Sequence, residues 1–138
     1  MNKIVSFNGI GYVAATFPVS KDAQTYLKAN HLNVQTGNVD VNGKNLAVKL
    51  NEDGTVGFGT GTADDAVLGI LIAYEMDGFA SVQLYGGIDE VPTAAELKGG
   101  VKSLVVDAAG KLVEVEGGKQ VAVVIPSSSE NLLASIVL

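Results

Sequence analysis

From Leu46 to the C-terminal Leu138, apolar residues fall mainly on alternate positions, in short runs closed by Asp-Gly, Asn-Gly or single glycines. A period of two with that punctuation predicts strands joined by tight turns. Leu46, Val48 and Leu50 are expected on one side of a strand with Ala47 and Lys49 on the other, and Asn51-Glu52-Asp53-Gly54 turns into Thr55-Val56-Gly57-Phe58. Ala66 to Tyr74 is apolar at consecutive positions, the mark of a strand buried on both faces, and Asp77-Gly78 makes a hairpin into Phe79 to Leu84. Leu32 to Gln35 and Val39 to Val41 read as short strands around Thr36-Gly37-Asn38, followed by a turn at Asn42-Gly43. In one place the period changes. Ala23, Tyr26, Leu27 and Asn30 recur at helical spacing behind a Ser20 N-cap, with Asp22 in the first turn, which predicts one short helix near residues 21–30. Thr93 to Lys98, after Pro92 and before Gly99-Gly100, reads as a short helical turn or a spacer.

The pattern is written twice. Ala66 to Leu84 aligns without a gap on Gln120 to Leu138, so that Phe79-Ala80-Ser81-Val82-Gln83-Leu84 falls on Leu133-Ala134-Ser135-Ile136-Val137-Leu138. Upstream, Leu46-Ala47-Val48-Lys49-Leu50 and Gly54-Thr55-Val56 correspond to Leu104-Val105-Val106-Asp107 and Gly110-Lys111-Leu112-Val113. Two similar halves of short strands predict an all-β fold, a small β-barrel or β-tulip-like domain, formed by the chain as a single domain over residues 1–138. Within it, residues 1–18 are expected to be an extended N-terminal arm, 19–42 the helix with connecting strands, and 43–138 the β core.

Residues 3–17 alternate loosely through Ile4, Val5, Phe7, Ile10, Tyr12, Val13 and Phe17, interrupted by Asn8-Gly9 and Gly11 and closed by Pro18. Two roles stay open for this segment. It can add a strand to a partner's sheet, since only Lys3 guards it against edge pairing, or it can supply the first strands of the domain's own sheet.

Composition narrows the function. The net charge is −6 with a pI near 4.6, and the nine basic residues are scattered, which argues against nucleic acid or an anionic membrane as partner. The longest apolar run, Ala66 to Tyr74, is about half the length a helix needs to span a bilayer, and Asn8, Gly9 and Gly11 interrupt the only stretch that follows Lys3 as a signal peptide would. Apolar residues make up 47% and charged ones 17%, against about 25% charge in typical domains. That excess predicts surface covered by other subunits or by a partner.

Candidate chemistry is sparse. There is no Cys, and the single His31, just after the predicted helix, has no second ligand to complete a metal site and suits the helix-end carbonyls instead. Gly57-Phe58-Gly59-Thr60-Gly61 has the glycines of a phosphate loop but lacks the following helix and lysine, so it reads as a flexible strand connection. Asp64-Asp65 and Glu52-Asp53 are adjacent carboxylates that point apart in a strand or turn, and are expected to solvate turns. Ser127-Ser128-Ser129 lacks nucleophile-elbow glycines and is expected to be a turn. No catalytic, cofactor or metal residues are expected, and the chain is not expected to be an enzyme.

Several phrases, in order, resemble a family of tailed-phage capsid decoration proteins, the head cement proteins similar in idea to those of lambda-like phages. They are Val13-Ala14-Ala15-Thr16-Phe17, Gly43-Lys44-Asn45-Leu46-Ala47-Val48-Lys49-Leu50 with Asp53-Gly54-Thr55-Val56, Val67-Leu68-Gly69-Ile70-Leu71, Asp77-Gly78-Phe79-Ala80-Ser81-Val82-Gln83-Leu84-Tyr85-Gly86, and Gly99-Gly100-Val101-Lys102. The resemblance implies a β-barrel or tulip-shaped structural protein. It would be made in the host cytoplasm and reside on the virion exterior, binding the major capsid protein as a homotrimer at threefold and quasi-threefold positions to stabilise the expanded head. The longer segment Ser20 to Asn42 departs from that pattern. Ile4, Val5, Phe7, Ile10 and Tyr12 on the arm are the expected capsid contacts. The alternative is a virion or cell-surface carbohydrate-binding module, which would gather aromatics on one exposed face, whereas Phe58, Tyr74, Phe79 and Tyr85 lie within predicted strands or at their ends.

Overall fold

The computed structural model describes residues 13–30, 45–74 and 78–138. Among them the chain forms ten strands, one α-helix and one turn of 3-10 helix at Ala63–Asp65. The first half comprises β1 (Val13–Pro18), α1 (Lys21–Asn30), β2 (Ala47–Leu50), β3 (Val56–Gly57), β4 (Gly69–Tyr74) and β5 (Phe79–Tyr85). The second comprises β6 (Gly87–Pro92), β7 (Gly100–Val106), β8 (Leu112–Glu114), β9 (Lys119–Ile125) and β10 (Leu133–Val137). The all-β prediction with a single short helix holds. Thr93 to Lys98 contains no helix; it leaves β6 as an irregular segment that buries Leu97.

The duplication governs the topology. The strands lie in two antiparallel sheets of order β1-β5-β4-β2-β3 and β6-β10-β9-β7-β8, so adding five to each strand number of one sheet generates the other. The β2–β3 and β7–β8 hairpins share a turn, in which Asn51 N–H donates to Thr55 O at 2.8 Å and Asp107 N–H to Lys111 O at 3.1 Å. Gly54 at φ +86° and Gly110 at φ +76° take the left-handed position these turns require. Each sheet also curls back on itself by the same device. Val19, just past β1, forms a parallel bridge to Val56 of β3, and Thr93, just past β6, does so to Leu112 of β8.

The repeat extends further than the sequence alignment and differs from it in one place. Pro18 faces Phe79 and Pro92 faces Leu133, placing a proline at the end of the first strand of each half. β5 and β10 correspond as the ungapped alignment has them, but β4 and β9 are displaced from it by two residues: the connection from Ala73 to its partner Ser81 is two residues shorter than that from Ile125 to Ser135. With that shift, both hairpins carry a register break at the same point, beside Ile72 and beside Val124.

The layers stack as α1, first sheet, second sheet. Val48, Leu71, Tyr74, Ala80 and Val82 line the inner face of the first sheet, closed by Ala23 and Leu27 of α1. The opposite face of the same strands contributes Ala47 and Ile70 to the second core, with Leu104, Val106, Val123 and Ile136. β4 is therefore buried on both faces, as its uninterrupted apolar run predicts, and Phe58 packs against both cores. Leu50, at the last position of β2, runs out past the core and is 51% exposed. Ser20 caps α1 as expected, its Oγ accepting from Ala23 N–H at 3.3 Å.

Because Leu27 is 1% exposed and seals the first core, Leu27→Ala is expected to lower unfolding free energy by about 2–5 kcal/mol. Leu50→Ala, on an exposed side chain, is expected to change it by less than about 0.5 kcal/mol. Urea denaturation of both variants checks the pair.

Candidate functional site

The expected capsid contacts Ile4, Val5, Phe7, Ile10 and Tyr12 lie outside the described residues. The described chain begins at Val13, where it immediately enters β1, paired with β5 from Val13↔Tyr85 to Pro18↔Phe79. For residues 13–18, then, the structure selects the second of the two open roles: they belong to the domain's own sheet. β1 is the first strand of its sheet order, and apart from the Val19 bridge beyond its end no described residue pairs with its outer edge.

That edge carries no charge. Val13-Ala14-Ala15-Thr16-Phe17-Pro18 has no ionisable side chain, whereas β6, its counterpart in the duplication, carries Asp89 and Glu90. Glu90 adopts φ +57°, a left-handed break in the strand where the register with β10 shifts. Charges and bulges are the usual devices that blunt sheet edges. β6 has both; β1 has a register shift only at Val13/Ala14. Around β1, Val13 is 52% exposed beside Tyr85 at 60%, and Phe79 is 46% exposed opposite Pro18. The Lys119 ammonium stands 5.9 Å from the centre of the Tyr85 ring, and burial pushes its pKa down. Phe79 and Tyr85 lie six residues apart on one strand, about 20 Å, and Tyr74 is fully buried. Among the described residues, these aromatics do not form one exposed platform.

A cleft of about 410 Å³ opens between α1, the β2–β3 hairpin and the β7–β8 turn, lined by residues that include Tyr26, Lys49, Asn51 and Phe58. Several of its lining groups are engaged in the fold. Asn51 Nδ2 donates to Thr55 Oγ1 at 3.0 Å, Ser20 caps α1, and Tyr26 stacks edge-on against Phe58 with centroids 5.3 Å apart. Burial, and then the Asp107 carboxylate, raise the Tyr26 phenol pKa. Lys49 points to a feature that the sequence reading missed.

That feature is Asp65. Expected in a solvated turn, it is instead 4% exposed. Lys49 Nζ donates to its Oδ1 at 2.7 Å, while Thr60 N–H at 2.6 Å, Thr60 Oγ1 at 2.8 Å, Thr62 Oγ1 at 3.3 Å and Thr62 N–H at 3.4 Å converge on Oδ2. Burial alone would raise the Asp65 pKa, but the Lys49 ammonium and the Thr60 and Thr62 donors outweigh it and hold the carboxyl far below the usual carboxylate range. The Gly57 to Gly61 loop is thereby wrapped around a carboxylate rather than left as a loose connection. At Gly59 an added Cβ would come within 2.6 Å of Val106 O and within 2.5 Å of Asp65 Cγ, so only glycine fits there. Asp64 remains exposed, as expected, and Asp53 accepts from Thr55 N–H at 3.0 Å in an exposed turn. The signal that separates Asp65 from its neighbour Asp64 is the Thr62-x-x-Asp65 spacing before an apolar run, which forms a capping box on the 3-10 turn.

The remaining candidates are structural or lie elsewhere. Ser127 is buried, accepting from Leu97 N–H at 2.8 Å and from Thr93 Oγ1 at 2.9 Å. His31 lies outside the described residues, and among those described no group of three or more His, Asp or Glu is placed to hold a metal ion. No helix among them is long and apolar enough to cross a membrane. The chain matches no family model, no curated protein and no solved structure. The charge-free β1 margin is the candidate functional surface.

Asp65→Asn is expected to cost about 3 kcal/mol or more, because it leaves Lys49 partly buried without its counter-charge. The folded carboxyl titrates below its unfolded value of about 3.9, so its stabilisation is complete above that pH and is lost as the pH falls. Urea titrations from pH 8 to pH 3 should show a constant gap between wild type and Asp65→Asn down to about pH 4, then a narrowing one.

Proposed function

We propose that this protein is a structural component of a phage virion, which binds the outside of the capsid as a trimer at threefold and quasi-threefold positions and braces the expanded head. The observation that carries the reading is the β1 margin. It is an uncharged edge strand flanked by exposed Val13, Tyr85 and Phe79, and it follows directly on the apolar segment containing Ile4, Val5, Phe7, Ile10 and Tyr12. An edge of that kind accepts or extends strand pairing with a neighbouring protein. The ordered phrases that resemble those of head cement proteins support the same reading, as does the charge-poor composition. Bracing a shell needs no chemistry: modest contacts repeated by a symmetric oligomer add up to a long-lived attachment through effective concentration. The major capsid protein is the proposed partner, with no role for nucleic acid or membrane.

The test is co-sedimentation of the purified full chain with undecorated heads of the phage whose genome encodes it. Pelleting with expanded heads is expected, and failure to pellet with either expanded heads or unexpanded proheads overturns the proposal. Removing residues 1–12 should leave the circular dichroism and assembly state unchanged while weakening head binding. Loss of folding, with full affinity in whatever fraction folds, would refute the assignment of capsid contacts to that segment.

A further inference from the structure

The two halves make the same hairpin turn with different side chains, and only the first places an aspartate directly before the glycine. In the second half Asp107 opens the turn, its Oδ1 accepts from Ala109 N–H and Lys111 N–H, both at 2.9 Å, and Ala109 precedes Gly110. In the first half Asn51 opens the turn and the carboxylate sits at Asp53, next to Gly54. An Asp-Gly link is labile because glycine has no Cβ to shield its amide nitrogen from the aspartyl side chain. The Gly54 nitrogen lone pair forms a bond to Asp53 Cγ, and one carboxyl oxygen leaves as water with the carboxyl and amide protons, closing a succinimide ring. Water then adds to the Asp53 main-chain carbonyl and the bond from that carbon to the Gly54 nitrogen breaks. The chain now runs through the side chain as isoaspartate, and no reactant but water has been used.

The turn has room for this ring, since no atom lies within 4 Å of where a Gly54 Cβ would stand. The product would matter to the fold. Its extra main-chain atom would displace Thr55 from Asn51 and carry along Val56, which is 1% exposed in the core beneath α1 and accepts from Ser20 N–H at 2.9 Å.

What opposes the reaction is a set of hydrogen bonds on both reacting groups. Gly54 N–H donates to Asn51 O at 3.0 Å, which holds the nucleophile in the turn. Thr55 Oγ1 at 2.6 Å and Thr55 N–H at 3.0 Å both donate to Asp53 Oδ1, which holds the electrophile. The hydroxyl is itself steadied by Asn51 Nδ2, which donates to it at 3.0 Å. The same two Thr55 donors, the hydroxyl first, keep the Asp53 carboxyl below the usual carboxylate range, in the ionised form that loses its oxygen less readily.

We propose that Asp53-Gly54 is a site of spontaneous succinimide and isoaspartate formation that the Thr55 hydroxyl holds in check. The site goes beyond the capsid reading and does not rest on it. Neither result of its test bears on head binding, so the two fail separately.

The test holds the full chain for weeks at neutral pH as folded wild type, Thr55→Val and Thr55→Ser, with wild type in urea alongside. Electron-transfer fragmentation locates isoaspartate and separates Asp53-Gly54 from Asp77-Gly78, the same pair elsewhere in the chain. Thr55→Val keeps the shape and the backbone N–H but loses the hydroxyl, and should convert Asp53 on the order of tenfold faster than wild type. Thr55→Ser should convert it at the wild-type rate, and wild type in urea faster than any folded sample. Circular dichroism and the rate at Asp77 should be the same in all three folded proteins. Thr55→Val that converts Asp53 no faster than wild type overturns the proposal, as does folded wild type that converts it as fast as the unfolded chain. Equal acceleration at Asp53 and Asp77 would show a general loosening of the fold and overturn the role of the hydroxyl. Should Thr55→Val not fold, Thr55→Ala is judged by the same criteria.

Discussion

The architecture depends on one sheet that is apolar on both sides. β2 and β4 present Val48 and Leu71 to the core beneath α1, and Ala47 and Ile70 to the core of the second sheet. Neither core is complete without these strands: remove their inner residues and the helix has nothing to cover, remove their outer ones and the second sheet loses its lid. Burial on both faces contributes twice per strand, which lets a chain of 138 residues hold two clusters instead of one. Phe58, packed against both, lies where the cores meet.

Hydrophobic contact is non-directional and does not by itself set the register of one half on the other. Directional bonds at the same seam do so. Ala47 N–H donates to Gly110 O at 2.7 Å, Gly61 N–H to Val106 O at 3.0 Å and Gly59 N–H to Asp107 O at 3.3 Å, all within or beside the loop that encloses Asp65. The carboxylate orders that loop through its five donors, and the ordered loop in turn docks on β7 and the turn that follows it. A buried charge with both oxygens engaged is costly to disrupt even where its net contribution is small. It therefore serves position more than stability.

Duplication supplies two versions of each surface, and their surroundings send them to different fates. The edge of β6 is blunted by Asp89 and Glu90, while β1 carries no ionisable side chain. The outer face of the first sheet is sealed, whereas that of the second shows Val101 to solvent. The uncharged β1 stands in a chain of net charge −6.

Strand period, turn residues, the Ser20 cap and the doubly apolar β4 were all legible in the sequence, as was the existence of a repeat. Each is set by neighbours within a few residues, through pleat alternation, turn dihedrals and helix-end donors. The candidate site was legible only in outline. An uncharged strand at Val13 to Pro18 can be read directly, but its position at a sheet edge depends on β5, more than sixty residues away. Only the tertiary structure buried Asp65 against Lys49, shifted β9 by two residues against β4, and chose which of two homologous faces is buried. Those outcomes depend on which distant segments meet. A periodic pattern shows that a face is apolar, but what covers it is decided when the chain closes on itself.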